Sequence, residues 1–217
     1  MVKPLICVPL TRLEDIDKVC AGDLIEVRID MLGSRWSDVV NSLCRPWIAC
    51  NRRADEGGYW TGDEASRINE LARAVNLGAT FVDIELQTPN IEELIKYFKS
   101  RGVRVIVSKH ITTHTPDLQT LKSLVKKMID LGADVWKIAT KACSHYDNVV
   151  LLKLLKEFEV PGISIAMGDL GTVSRILSPL VGGFLTYASA CRGAESAPGQ
   201  LTVSEIKEIY SMLGVSS

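Results

Sequence analysis

Eight short apolar runs alternate with helix-like segments along 217 residues. That rhythm predicts an α/β protein folded as a single (β/α)8 TIM barrel, because alternating strand and helix units imply a parallel sheet. Two further observations favour the barrel. Helix-like segments close at Gly78, Gly102 and Gly132, as expected where a residue with positive φ ends a helix. Eight units in a chain of this length also fit one compact barrel, so residues 1–217 are expected to form a single domain. The runner-up is an open doubly wound sheet. Its nucleotide-binding form is weakened because no GxGxxG follows the first strand and no Walker A motif occurs.

Residues 4–10 read as the first strand. Thr11 is placed to cap a helix over 12–19, with Glu14 completing a capping box. The second strand is 24–30, and a helical segment follows at 36–43. A third strand at 46–51 leads into the charged loop 52–63, and the amphipathic stretch 64–77 is the next helix. Strand four is 80–86, followed by helix 91–101; strand five is 103–109, followed by helix 118–131. Strand six is 134–139, with helix 146–158 after it. Strand seven is 162–167, followed by a short helix at 172–178; strand eight is 183–187, and the last helix is 203–213.

Composition narrows the function. Apolar residues make up 47% of the chain, enough for a sizeable core and too many for a disordered protein. A formal net charge of −1, with both signs interspersed, gives no electrostatic case for nucleic acid or an anionic membrane. No signal peptide or membrane-spanning run is visible, so a cytoplasmic location is expected. The six cysteines, Cys7, Cys20, Cys44, Cys50, Cys143 and Cys191, contain no CxxC pair and read as free thiols in a reducing compartment. Three histidines without HExxH spacing or a Cys/His cluster make a structural zinc site improbable, and no metal is expected.

The sixth strand carries the residue around which the chemistry is organised. In GADVWKIAT, period two puts Lys137 on the face shared by Val135 and Ala139. If that face is the barrel interior, the ammonium is desolvated. Desolvation lowers a lysine pKa and favours the nucleophilic amine. On an edge strand the same lysine would snorkel to water.

In barrels of this class, chemistry collects at the C-terminal strand ends. Glu26, Arg28 and Asp30 share one face of strand two, and Arg52 follows strand three, with Glu56 beyond it. Asp83 and Glu85 share a face of strand four, and His110 follows strand five. The loop after strand seven delivers Arg175, and SAPGQ after strand eight holds Ser196 and Gln200. Each has a plain structural reading. Glu26 and Arg28 can be an internal ion pair, Arg52 a solvated loop residue, and Arg175 part of a solvated helix face. The convergence of six consecutive strands on one end favours a shared pocket. His114 and His145 lie in polar stretches and read as surface residues. Lys109 faces away from His110 by strand phase, so little influence is expected from it.

A lysine, a histidine, carboxylates, arginines and an amide in one pocket suit a small, hydroxylated, anionic carbonyl compound. An imine on the lysine is an electron sink, and the histidine can remove the adjacent proton and then protonate a departing hydroxyl. The expected chemistry is therefore imine-mediated dehydration or aldol cleavage. The iminium is itself the electrophile, so no cofactor is expected.

These motifs resemble the type I 3-dehydroquinate dehydratase family of the shikimate pathway. The similarity spans nearly the whole chain. It rests on Glu26-x-Arg28-x-Asp30, on Arg52 with Glu56-Gly57-Gly58, on Asp83-x-Glu85-Leu86 and on His110. It continues through Lys137-Ile138-Ala139, the loop from Met167 to Arg175, and the segment from Ser196 to Gln200. The resemblance implies conversion of 3-dehydroquinate to 3-dehydroshikimate in a barrel without metal or cofactor. It implies that Lys137 forms the imine at C3, and that His110 takes the C2 proton and later protonates the C1 hydroxyl. Glu56 is then expected to position His110 and assist imine formation and hydrolysis. Arg175 would hold the substrate carboxylate, while Glu26, Arg28, Arg52, Ser196 and Gln200 hold the hydroxyls and ring. Asp83 would orient His110 from behind. Relatives are often homodimers, although the helices here carry no decisive apolar stripe. Arg53, Lys109 and Ile111 depart from the family pattern, and the connections are short. Two other readings stay open. A lysine-dependent aldolase acting on a sugar phosphate would need a phosphate site in the loops after strands seven and eight. A barrel that merely binds a small anion would have no need of the nucleophile.

Overall fold

The computed structural model describes residues 3–215. Eight parallel strands form one sheet in the order β7-β6-β5-β4-β3-β2-β1-β8. They are β1 (Ile6–Leu10), β2 (Leu24–Arg28), β3 (Trp47–Cys50), β4 (Phe81–Glu85), β5 (Arg104–Ile111), β6 (Val135–Lys141), β7 (Gly162–Met167) and β8 (Thr186–Tyr187). β1 pairs with both β2 and β8, in the registers Cys7↔Leu24 and Cys7↔Tyr187. Where β7 meets β8, the Phe184 N–H donates to the Gly162 carbonyl at 2.8 Å, bringing the sheet close to a closed barrel. The open-sheet alternative is therefore set aside.

Seven α-helices cover the outside: α1 (Ile29–Leu32), α2 (Glu64–Asn76), α3 (Ile91–Ser100), α4 (Leu118–Asp130), α5 (Tyr146–Leu154), α6 (Thr172–Leu177) and α7 (Val203–Met212). Side-chain oxygens satisfy several of their orphan amides. Asp63 accepts from Ser66 N at 2.7 Å and Asp117 from Thr120 N at 2.9 Å. Thr202 and Glu205 form a reciprocal capping box at α7.

Strand alternation divides the buried side chains into two cores. Ile25, Val27, Val82, Ile84, Val105, Val107, Trp136 and Ile138 face outward and pack with the helices. Leu24, Ile48, Phe81, Ile106, Val135 and Ile163 form an apolar floor inside the barrel. Two residues further along the same strands, the inward face turns polar at Glu26, Cys50, Asp83, Ser108 and Lys137, all buried. The floor excludes water from below, so the polar layer opens towards the C-terminal strand ends.

Three expectations need correction. The helix over 12–19 is two 3-10 turns, Leu13–Asp15 and Val19–Ala21. Thr11 donates to the Ala194 carbonyl at 3.3 Å instead of capping, and buried Asp15 draws in Arg12 and Lys18 at i±3. The segment at 36–43 likewise forms 3-10 turns, Gly33–Asp38 and Val40–Ser42, pinned by buried Trp36 donating to Glu70 Oε2 at 2.6 Å. Finally, Cys20 and Cys44 form a disulfide that ties these two irregular regions together, so the expectation of six free thiols fails. Cys7, Cys50, Cys143 and Cys191 are free. There are also smaller shifts. β5 and β6 each run two residues further than expected, and Asp30 sits on α1 rather than on β2.

Candidate active site

The polar layer is a connected chain of charges. Lys137 Nζ lies 2.9 Å from Asp83 Oδ2 and 3.3 Å from Glu26 Oε1, and donates to Tyr187 Oη at 2.9 Å. Asp83 also meets Arg52 Nη2 at 2.7 Å and accepts from Ser108 Oγ at 2.6 Å. Arg52 Nη1 continues to Glu85 Oε1 at 3.0 Å. Glu85 is braced from behind by buried Arg67, Nη1 to Oε2 at 2.7 Å. Arg28 forks onto Asp30 at 2.6 and 2.9 Å, and Asp30 also accepts from Tyr59 N at 3.0 Å. These pairings set the protonation states. Burial pushes the Lys137 ammonium down, but the Asp83 and Glu26 carboxylates outweigh it and raise the net pKa. Burial alone would raise Asp83, yet Arg52 and Lys137 hold it well below the usual carboxylate range. The expectation of a lowered lysine pKa is therefore corrected. Lys137 is a paired ammonium.

Above this layer, the 3-10 turn Ala54–Glu56 carries Glu56 back over the barrel mouth. Gly57 continues the turn with a φ of +81°, and a Cβ on Gly58 would lie 2.1 Å from the Arg52 carbonyl oxygen. Glu56 Oε2 accepts from the His110 main-chain N–H at 2.8 Å and lies 3.3 Å from His110 Nδ1. Its other oxygen accepts from Lys109 Nζ at 2.7 Å. Burial works against the Glu56 carboxylate, but His110, Lys109 and Arg52 bring it down to about 2. Burial, joined by the Arg52 charge, brings His110 down to about 4. At neutral pH the imidazole is thus uncharged and able to accept a proton.

The far wall comes from the loops after β7 and β8. Arg175 is 1% exposed, with its Nε unpaired and Nη2 donating to the Pro198 carbonyl at 3.3 Å. No carboxylate pairs with it among the described residues, and burial lowers its pKa to about 10. Such a guanidinium is a ready partner for an anion. Gln200 Nε2 donates to Ser196 Oγ at 3.2 Å, and Gly168 N donates to the Pro198 carbonyl at 3.0 Å, docking the two loops together. At Gly199 a Cβ would lie 2.2 Å from the Gly168 carbonyl oxygen, so the close approach requires glycine.

A cavity of about 360 Å³ lies between these walls. It is lined by Lys137, His110 and Glu56, by Glu26, Arg28 and Arg52, and by Arg175, Ser196 and Gln200, which brings together every expected site residue. Asp83, expected to orient His110 from behind, is instead bonded to Lys137 and Arg52, and the carboxylate in contact with the imidazole is Glu56. Lys109 also departs from expectation. Its Cβ follows the outward phase, but its four-carbon stem reaches Glu56 and Gln87. Tyr187 and Lys141 are among the lining residues that the sequence reading does not single out. Tyr187 ends β8, with the Lys137 ammonium 4.4 Å from its ring centroid. Lys141 lies in phase with Lys137 and Ala139, and period two alone could have flagged it. His114 and His145 are exposed, as expected. Glu26, Cys50 and Asp83 offer donor atoms within 4.8 Å of one another, as a metal site would. The two carboxylates, however, are already engaged by Lys137 and Arg52.

Fold and cavity together define a (β/α)8 barrel with a buried, ion-paired lysine and an anion-seeking arginine at its mouth. The sequence profile described as type I 3-dehydroquinase matches residues 6–217. A 3-dehydroquinate dehydratase of Dehalococcoides mccartyi is 41% identical over 211 residues, covering 95% of each chain. The crystal structure of 3-dehydroquinate dehydratase from Geobacillus kaustophilus superposes with a TM-score of 0.88 at 27% identity, covering 100% of this chain and 93% of that one. A type I enzyme from Clostridium difficile, solved with covalent modified comenic acid, gives 0.87 at 25% identity, covering 100% and 94%. The chain belongs to the type I 3-dehydroquinase family.

Proposed function

We propose that this protein is a 3-dehydroquinate dehydratase, a hydro-lyase of the shikimate pathway that converts 3-dehydroquinate to 3-dehydroshikimate and water through an imine on Lys137. The observation that carries the reading is the placement of Lys137, buried between Asp83 and Glu26, in the cavity that also holds unpaired Arg175 and neutral His110. Arg175 takes the substrate carboxylate, and the paired polar groups Glu26, Arg28, Arg52, Ser196 and Gln200 take the hydroxyls and ring.

The Lys137 ammonium passes a proton to a neighbouring carboxylate, and its amine adds to the C3 carbonyl. Loss of water from the carbinolamine gives the iminium. The Glu56 carboxylate, 3.3 Å from Nδ1, favours the tautomer with the proton on Nδ1. Nε2 is then free to take the C2 proton. The resulting enamine expels the C1 hydroxyl as His110 returns that proton, and one molecule of water forms. A second water hydrolyses the conjugated iminium, which replaces the water lost when the imine formed. No metal is required, because the iminium accepts the electron pair left by the C2 proton and becomes the enamine.

On this reading residues 1–217 are one catalytic domain, and assembly as a homodimer is what the family resemblance implies. No helix among the described residues is long and apolar enough to cross a membrane. A disulfide is uncommon in a reducing cytosol. The cytoplasmic placement therefore rests on the biosynthetic role and not on the cysteines. The test is turnover of 3-dehydroquinate in the presence of chelator, followed by ultraviolet absorbance of the conjugated product. Wild type should turn over and Lys137→Ala should not. Turnover by Lys137→Ala would overturn the imine route, and inactivity of wild type would overturn the assignment.

A further inference from the structure

Glu56 faces two partners at once. Oε2 takes the His110 main-chain N–H and faces Nδ1, while Oε1 takes Lys109 Nζ at 2.7 Å. Lys109 is itself tethered to Gln87 Oε1 at 2.6 Å, in the turn after β4. Its side chain is 17% exposed against 1% for Glu56. Glu56 thus lines the cavity, and Lys109 reaches it from the outer side of β5. Neither Lys109 nor Gln87 lines the cavity, so neither touches a bound substrate.

We propose that Lys109 is a positioning residue of this site: by holding one oxygen of Glu56 it keeps the other against His110, and it offsets the negative charge that Glu56 presents to the imidazole. The inference rests on the dehydratase reading for its kinetic consequence but not for its geometry. The charged groups that face His110 come from every neighbouring element. They are Arg52 after β3, Glu56 on its turn, Asp83 on β4 and Lys137 on β6, with Lys141 and Arg175 elsewhere on the cavity wall. Of these groups only Glu56 is bonded to Lys109, and a glutamine at position 109 keeps a donor to that oxygen. With the tether kept and the Lys109 charge removed, Glu56 acts on the imidazole uncompensated and its charge favours the imidazolium. An opposite charge at this range shifts a titration by about one pH unit.

The experiment titrates the His110 imidazole by NMR in wild type, Lys109→Gln and Lys109→Arg, with the resonance assigned through His110→Asn. Glutamine keeps a hydrogen-bonding group of similar reach without the charge, and arginine keeps the charge. The His110 midpoint is expected to rise by about one pH unit in Lys109→Gln and to stay near wild type in Lys109→Arg. The acid limb of kcat/KM for 3-dehydroquinate should move by the same amount. A merely structural tether would lower kcat and leave the midpoint unmoved. An unchanged or lower midpoint in Lys109→Gln, or an arginine variant that behaves like the glutamine one, overturns the inference. The NMR titration needs no turnover. If wild type proves inactive, the functional reading falls while the role of Lys109 is still decided.

Discussion

Lys137 Nζ lies 2.9 Å from Asp83 Oδ2, and both side chains are at least 95% buried within the barrel. This pair sets the protonation state of the site, because the carboxylate favours the Lys137 ammonium. Asp83→Asn should therefore make the amine easier to deprotonate. Reaction of Lys137 with an amine-directed reagent, measured against pH, should become faster at neutral pH in the variant. Removing one partner of a buried pair also costs roughly 3–5 kcal/mol of stability, which denaturant unfolding would read. An unchanged modification profile would contradict the assigned pairing.

Arg175 presents the opposite case. Its guanidinium is buried without a carboxylate partner and its Nε is unpaired, so it stabilises the unliganded fold little. Arg175→Met should leave the melting temperature unchanged or raise it. The same substitution should lower kcat/KM by about 100-fold, the scale of a lost charge-assisted carboxylate contact. A destabilised variant with normal kinetics would reverse the assignment.

The site's titration predicts acid sensitivity. His110 binds its proton near pH 4 in the folded chain but near 6.5 when unfolded. Between those values the unfolded state holds more protons, so stability falls as the pH falls. Glu56, lowered from 4.5 to about 2, extends the loss further: its contribution is full above 4.5 and disappears as pH drops to 2. The histidine part amounts to roughly 3 kcal/mol across its window. Urea unfolding of wild type and His110→Asn from pH 7 to 4 should show a flatter dependence in the variant.

The Cys20–Cys44 bridge closes a loop spanning 24 residues of sequence separation. Chain-entropy arguments assign such a loop roughly 3 kcal/mol. Reductant should lower the melting temperature of wild type and leave Cys20→Ser/Cys44→Ser unaffected. Turnover near the ordinary working temperature should survive, since the bridge joins irregular segments away from the residues that line the cavity.

Much of this molecule was legible in its sequence. Period-two alternation puts Glu26, Asp83 and Lys137 on strand faces that the fold turns inward, and Gly78, Gly102 and Gly132 mark the ends of helices correctly. What stayed hidden depends on distant contacts. Thr11 and Glu14 match a capping box, yet the Thr11 hydroxyl finds the Ala194 carbonyl across the fold. The working box is Thr202 with Glu205. Strand phase gives the direction of a Cβ and says nothing of where a flexible lysine stem ends, and the Lys109 stem turns back to Glu56. Cysteine spacing without a CxxC carries no pairing signal, so nothing local marks the Cys20–Cys44 bridge. The sign of the Lys137 shift turned on two carboxylates from β2 and β4, whose distances no local pattern encodes.

The most direct test of the central claim is mass spectrometry of the protein mixed with 3-dehydroquinate and borohydride. The account predicts a reduced adduct mapped to the peptide carrying Lys137 and absent from Lys137→Ala, with the mass of one substrate less one water plus two hydrogens for the first imine, or less two waters plus two hydrogens for the conjugated one. An adduct on another lysine, or turnover of 3-dehydroquinate with no adduct trapped at Lys137, would contradict it.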